Sequence, residues 1–111
     1  MDTRMVSETW RDIGAVDDIP RLGARVVATP EGNIAVFRTG DDSIYAVEDR
    51  CPHKSGPLSQ GLVHGTAVTC PLHNWRVAVD CGQVVKPPGQ ESPCVRTYAV
   101  RVEEGFVAIR L

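Results

Sequence analysis

The chain has no apolar run approaching the ~18 residues that a membrane-crossing helix requires. Its first residues are polar and charged and do not form a secretory leader, so the sequence predicts a cytoplasmic protein with no membrane anchor. Neither sign of charge predominates. Twelve Lys and Arg stand against 14 Asp and Glu, a net charge of −2, and no basic stripe offers itself to nucleic acid. No segment carries a helical stripe of apolar side chains, and there is no low-complexity tract. A glycine fingerprint for nucleotide phosphates is also missing, and no residue stands out as a general base. These absences exclude a self-sufficient nucleotide-dependent enzyme. Cysteine and histidine are scarce, at four and three residues. Most of them nevertheless fall into two short stretches, and the chemistry must be sought there.

Those stretches are Cys51-Pro52-His53 and Cys70-Pro71-Leu72-His73, separated by sixteen residues. Each offers one thiolate and one imidazole. A proline after each cysteine fixes φ and removes a backbone donor, which stiffens both loops. Two cysteines and two histidines on one centre form the ligand set of a Rieske [2Fe–2S] cluster. Structural zinc also uses two thiolates and two imidazoles, but its common patterns pair Cys with Cys and His with His. Zinc remains the rival reading, and four unrelated polar residues the bland one. His64 beside Gly65 reads as a turn histidine rather than a fifth ligand.

The similarity extends beyond the ligands. Cys51-Pro-His-Lys-Ser-Gly-Pro-Leu-Ser59 and Cys70-Pro-Leu-His-Asn-Trp-Arg76 resemble the two cluster loops of Rieske ferredoxins. The resemblance implies that Cys51 and Cys70 hold one iron and His53 and His73 the other. It also implies that both imidazoles lie at the surface as the electron exit. High-potential Rieske proteins carry an additional disulfide between the loops, and the corresponding positions here are Ser55 or Gly56 and Leu72. They also carry hydroxyls at the positions of Trp75 and Val77, neither of which can bond to a cluster sulfur that way. The remaining cysteines, Cys81 and Cys94, read as small packing residues.

With 111 residues the chain suits a single domain, 1–111. Short β-branched runs between turn residues predict an all-β fold, an antiparallel β-sandwich base with a small inserted cluster-binding subdomain. The subdomain is expected at about 48–75 and the base at about 7–47 and 76–111. Strands are expected at 7–13, Ala24–Thr29, Ile34–Arg38, Ser43–Val47, Val77–Val79, Cys94–Val102 and Phe106–Leu111. A hairpin turn Pro30-Glu31-Gly32-Asn33 joins the second and third of these. Ile44 and Ala46 alternate with Tyr45 and Val47, as in a strand buried on both faces.

The chain as a whole resembles the small subunit of assimilatory NAD(P)H-dependent nitrite reductase. Trp10-Arg-Asp-Ile13, Gly56–Gly65, Thr69–Trp75 and the run Cys94-Val-Arg-Thr-Tyr-Ala-Val-Arg-Val102 carry that likeness. It implies a role in nitrate assimilation beside a large subunit with flavin, sirohaem and a [4Fe–4S] cluster, where nitrite becomes ammonium. The alternative is a free Rieske ferredoxin working with a ferredoxin reductase and an aromatic-ring or related oxygenase. Such ferredoxins usually have Gly-Trp and Phe-Asp after the second histidine, where this chain has Asn74-Trp75 and Val77-Ala78. A third possibility is a module that only holds a large subunit in shape. Under the first two readings the chain is an oxidoreductase subunit with no complete active site of its own. Lys54, Asn74 and Trp75 flank the ligands and are expected to form the docking surface, unless Trp75 packs beneath the loop.

Metal binding free energy is also folding free energy in so small a unit. Cys51→Ser or Cys70→Ser is therefore expected to give poorly folded protein rather than merely colourless protein. A well-dispersed amide NMR spectrum from either variant would refute this.

Overall fold

The computed structural model describes residues 10–50, 56–71, 75–86 and 95–110. Among the described residues there are three antiparallel sheets, with two single 3-10 turns, Val16–Asp18 and Leu58–Gln60, between strands. The first sheet has the order β1 (Trp10–Ala15), β11 (Phe106–Arg110), β10 (Val100–Glu103). The second runs β2 (Ala24–Thr29), β3 (Gly32–Arg38), β4 (Ile44–Glu48), β9 (Thr97–Tyr98). The third runs β5 (Leu62–His64), β6 (Ala67–Thr69), β7 (Arg76–Ala78), β8 (Val84–Lys86). The expected all-β architecture is the one observed. Among the described residues no helix is long and apolar enough to cross a membrane.

The second sheet is the middle layer. Side chains of a strand alternate between its faces, and both faces of β3 and β4 are covered. Ile34, Val36, Ile44 and Ala46 join Ile13, Val107 and Ile109 of the first sheet in one core. Ala35, Phe37 and Val47 join Leu58, Val63, Val68, Cys70 and Val77 in another. This explains the near-continuous apolar run of β3, which a half-exposed strand would not carry.

Several expectations are adjusted. The first hairpin turn is tighter than expected. Thr29 pairs with Gly32, leaving only Pro30 and Glu31 in the turn. The Thr29 hydroxyl donates to the Gly32 carbonyl at 2.6 Å. Expected strand β1 extends to Ala15, with a bulge at Ile13 that turns this residue into the core; residues 7–9 lie outside those described. Two other strands are displaced by one residue, to Ile44–Glu48 and Arg76–Ala78. The third sheet continues past residue 75 through β7 and β8.

The largest correction concerns the strand expected over Cys94–Val102. Cys94 lies outside the described residues, and the rest divides at Ala99. Thr97 and Tyr98 pair with Val47 and Ala46 of the second sheet, whereas Val100–Glu103 pairs with β11 of the first. The Ala99 carbonyl accepts from Arg110 N–H at 3.0 Å, which holds the crossover. Just upstream, Val95 N–H donates to the Gly82 carbonyl at 2.8 Å, beside the third sheet. Nine residues therefore tie all three layers together.

At the end of the second sheet far from the cluster loops, Asp42 accepts from two arginines. Arg21 reaches its carboxylate through Nε and Nη2 at 3.0 and 3.1 Å, and Arg38 Nε does so at 2.9 Å. Arg38 also donates to the carbonyls of Val16 and Ile19, fixing the 3-10 turn against β3. The Asp42 carboxyl is held below the usual carboxylate range, chiefly by the Arg21 hydrogen bonds and then by Arg38. A lowered folded-state value gives stability that is present above the unfolded carboxylate range and lost as pH falls through the folded value. Asp42→Asn should therefore lower stability to urea at pH 7. The gap to the parent protein should narrow below about pH 4; a gap that stays constant with pH would refute the ionic origin.

Candidate metal centre

The two loops spring from neighbouring layers, and their roots are fixed by hydrogen bonds. β4 ends at Glu48, and Asp49 N–H donates to the Asn33 carbonyl at 3.0 Å. The Asp49 carboxylate then accepts from both Ser59 N–H and Ser59 Oγ, each at 2.8 Å. A bidentate acceptor of this kind closes the nine-residue loop 50–58 at its base. Beyond it, Gln60 and Gly61 N–H donate back to Pro57 and Leu58 carbonyls, which forms the short 3-10 turn. Leu58 is fully buried in the core shared by the second and third sheets.

The second loop leaves β6 at Cys70 and re-enters β7 after Trp75. Cys70 N–H donates to the Trp75 carbonyl at 2.7 Å, which brings the two ends of the second loop together. Cys70 shares its face with Val68 and Val77 and is 1% exposed. Trp75 is half-buried and packs against that same core, the alternative already allowed for it, rather than standing free at the rim. Val77 is fully buried there, so the side chain at this position is apolar and enclosed.

Gly61 brings the two roots together. A Cβ on Gly61 would stand 2.3 Å from the Thr69 carbonyl oxygen and 2.8 Å from Val68 Cγ2. Only glycine permits the first loop's stem to approach the strand that delivers Cys70 so closely. The contact leaves Leu58 and Cys70 in one apolar cluster.

Of the four expected ligands, Cys70 is described; Cys51, His53 and His73 lie outside the described residues, as do Lys54 and Asn74. What is described suits an iron–sulfur cluster. A buried soft donor sits in an apolar core where the roots of two loops meet, with a second donor stretch beginning two residues after Asp49. His64 stands at the end of β5, where its Nε2 lies 2.8 Å from Thr69 Oγ1 across the strands. Cys81 is exposed in the turn before β8 rather than packed. Asp49, Ser59 and Gly61 were not foreseen as parts of the site. The only advance signal was an acid placed just ahead of the first ligand stretch.

Residues 9–99 match the Rieske [2Fe-2S] domain family. The chain is 32% identical over 102 residues to the anthranilate 1,2-dioxygenase ferredoxin subunit of Burkholderia cepacia, covering 92% of this chain and 92% of that protein. It is 31% identical to protein TIC 55, chloroplastic, of Pisum sativum, but spans only 19% of that protein's length. Among solved structures, a complex of reduced oxygenase and oxidized ferredoxin in carbazole 1,9a-dioxygenase superposes with a TM-score of 0.80 at 31% identity, covering 91% of this chain and 92% of that one. A protein described as the small subunit of an NADPH nitrite reductase superposes with a TM-score of 0.79 at 25% identity, covering 91% and 97%. A small all-β iron–sulfur electron carrier is the class that the fold and these similarities define. The chain belongs to the Rieske [2Fe-2S] domain family, and its cofactor is the Rieske [2Fe–2S] cluster.

Hydrogen bonds from hydroxyls to cluster or thiolate sulfur stabilise the reduced, more negative cluster. The side chains at 75 and 77 supply none, and Val77 is sealed in the core. The reduction potential is therefore expected at the low end of the Rieske range, about −150 mV. Titration of the holoprotein checks this, and a value near about +300 mV would contradict it.

Proposed function

We propose that this chain is the small, electron-transferring subunit of a cytoplasmic NAD(P)H-dependent nitrite reductase serving nitrate assimilation. Cys51 and Cys70 bind one iron of the cluster, and His53 and His73 bind the other. When bound, the cluster accepts and releases one electron at a time. The chain's own residues hold it still: Asp49 and Ser59 close the first loop, and the Cys70–Trp75 backbone bond closes the second. Flavin, sirohaem and the site of nitrite reduction belong to a large partner subunit.

The observation that carries this reading is the run from residue 94 to 102. Its sequence resembles the nitrite reductase small subunits, and its described part is the segment that ties the three sheets together. Asn74-Trp75 and Val77-Ala78 point the same way, since they depart from the Gly-Trp and Phe-Asp of free ferredoxins. Structural similarity to a protein described as an NADPH nitrite reductase small subunit adds support. A second reading is favoured by a separate observation. Full-length similarity to the anthranilate dioxygenase ferredoxin subunit suits a free carrier that passes electrons to an oxygenase.

Affinity purification of the tagged protein from nitrate-grown source cells distinguishes the two. Co-purification of a large subunit with flavin and sirohaem absorption is expected. A Rieske spectrum alone, or an oxygenase partner, would transfer the assignment to the ferredoxin reading.

A further inference from the structure

From Arg50 to Val79 the chain contains no aspartate or glutamate, yet it carries Arg50, Lys54 and Arg76. The remainder holds nine basic residues against all 14 acidic ones, so a segment of formal charge +3 is joined to a body of charge −5. Among the described residues, part of the acidic charge lies away from this segment. Asp17, Asp42 and the Glu103–Glu104 turn gather at the far end of the second sheet, through the Val16–Gly105 backbone bond and the Arg38 ion pairs. Seven residues of β3 span about 20 Å, more than two Debye lengths at physiological salt. Of the acids flanking the segment, Glu48 faces Arg50 and Glu31 faces Arg96, each at 3.8 Å, Asp49 accepts from Ser59, and Asp80 is exposed in the turn between β7 and β8.

The outer face of the third sheet has its own pattern. Register aligns Leu62, Thr69 and Arg76 in one row across β5, β6 and β7, on the side opposite the core-facing Val63, Val68 and Val77. Thr69 and Arg76 are the residues just before Cys70 and just after Trp75, so the row borders the second cluster loop. Leu62 is 74% exposed, and Val85, at the irregularity opposite Arg76, is 50% exposed. Arg76 is half-buried, and its Nε finds no acceptor among the described residues. Buried donors are nearly always paired in native proteins. A half-buried guanidinium beside exposed aliphatic side chains has the make-up of an interface anchor.

We propose that this face, centred on Arg76 with Leu62 and Val85 beside it, is a docking surface for an acidic redox partner whose carboxylate pairs with Arg76. This deepens the electron-carrier reading and does not depend on which large partner is correct. The field at the cluster end is then positive although the whole protein is negative. That field orients the carrier as it approaches.

The reduced holoprotein tests the field without any biological partner. One electron passes from the reduced cluster to hexacyanoferrate(III), giving hexacyanoferrate(II), or to hexaammineruthenium(III), giving the ruthenium(II) ion. Stopped-flow rates with the anionic reagent should fall roughly threefold or more as salt rises from about 10 to 300 mM, and rates with the cationic reagent should rise. The opposite pair of trends, as the protein's net negative charge alone would give, would overturn the proposal. Calorimetry with poly-L-glutamate at low salt locates the surface. Arg76→Gln and Leu62→Glu should each weaken binding about threefold or more, Arg76→Lys should restore much of it, and Arg110→Gln, on the first sheet, should leave it unchanged. Equal losses at Arg110 and Arg76, or no binding by the parent protein, would overturn the assignment of this face. Visible absorption of the cluster confirms that each variant is folded. Failure to recover a nitrite reductase subunit would leave these outcomes untouched.

Discussion

Four consecutive side chains of β3, Ile34 to Phe37, are sealed from solvent while pointing alternately to opposite sides of the sheet. Both neighbouring sheets depend on that burial. The first sheet covers Ile34 and Val36, and the third covers Ala35 and Phe37. Strands of three residues, as in β5 through β8, are too short to be stable alone. They persist because Val63, Val68 and Val77 have an apolar surface to lie on. The same surface receives Leu58 and Cys70, so the position of the metal-binding loops is referred back to the middle layer.

Ordinary hydrogen bonds fix the roots of both loops. Neither loop has a disulfide brace at the positions where high-potential relatives carry one. Asp49 does related work for the first loop by gripping both donors of Ser59, and the Cys70–Trp75 bond does so for the second. Gly61 adds a steric condition, because the loop stems meet only where no side chain intervenes. A carrier that changes charge by one at every turnover benefits from a frame that has little freedom to rearrange.

Much of this was legible in the residues. The two Cys-Pro stretches announced a metal centre, and the alternation of Ile44 and Ala46 with Tyr45 and Val47 announced a strand covered on both sides. The division at Ala99 was not legible. Tyr98, Val100 and Val102 keep period two across it, and that period reports which face a side chain takes, not which sheet its backbone joins. Gly61 looked like any turn glycine, because the atom it must avoid, the Thr69 carbonyl oxygen, comes from a different strand. Asp49 was hidden for a similar reason, since its partner lies ten residues on, beyond the whole first loop.

The segment Val95–Glu103 has a bearing on how the protein comes into being. During synthesis the third sheet can assemble once β8 has emerged, but β1 must wait for β11, to which Trp10 is joined through Arg110. The middle sheet likewise lacks its fourth strand until β9 emerges. Contacts so distant in sequence are slow to form, and the last stretch of chain closes all three layers nearly at once. The segments between β4 and β5 and between β6 and β7 are therefore made before the scaffold that carries them is closed.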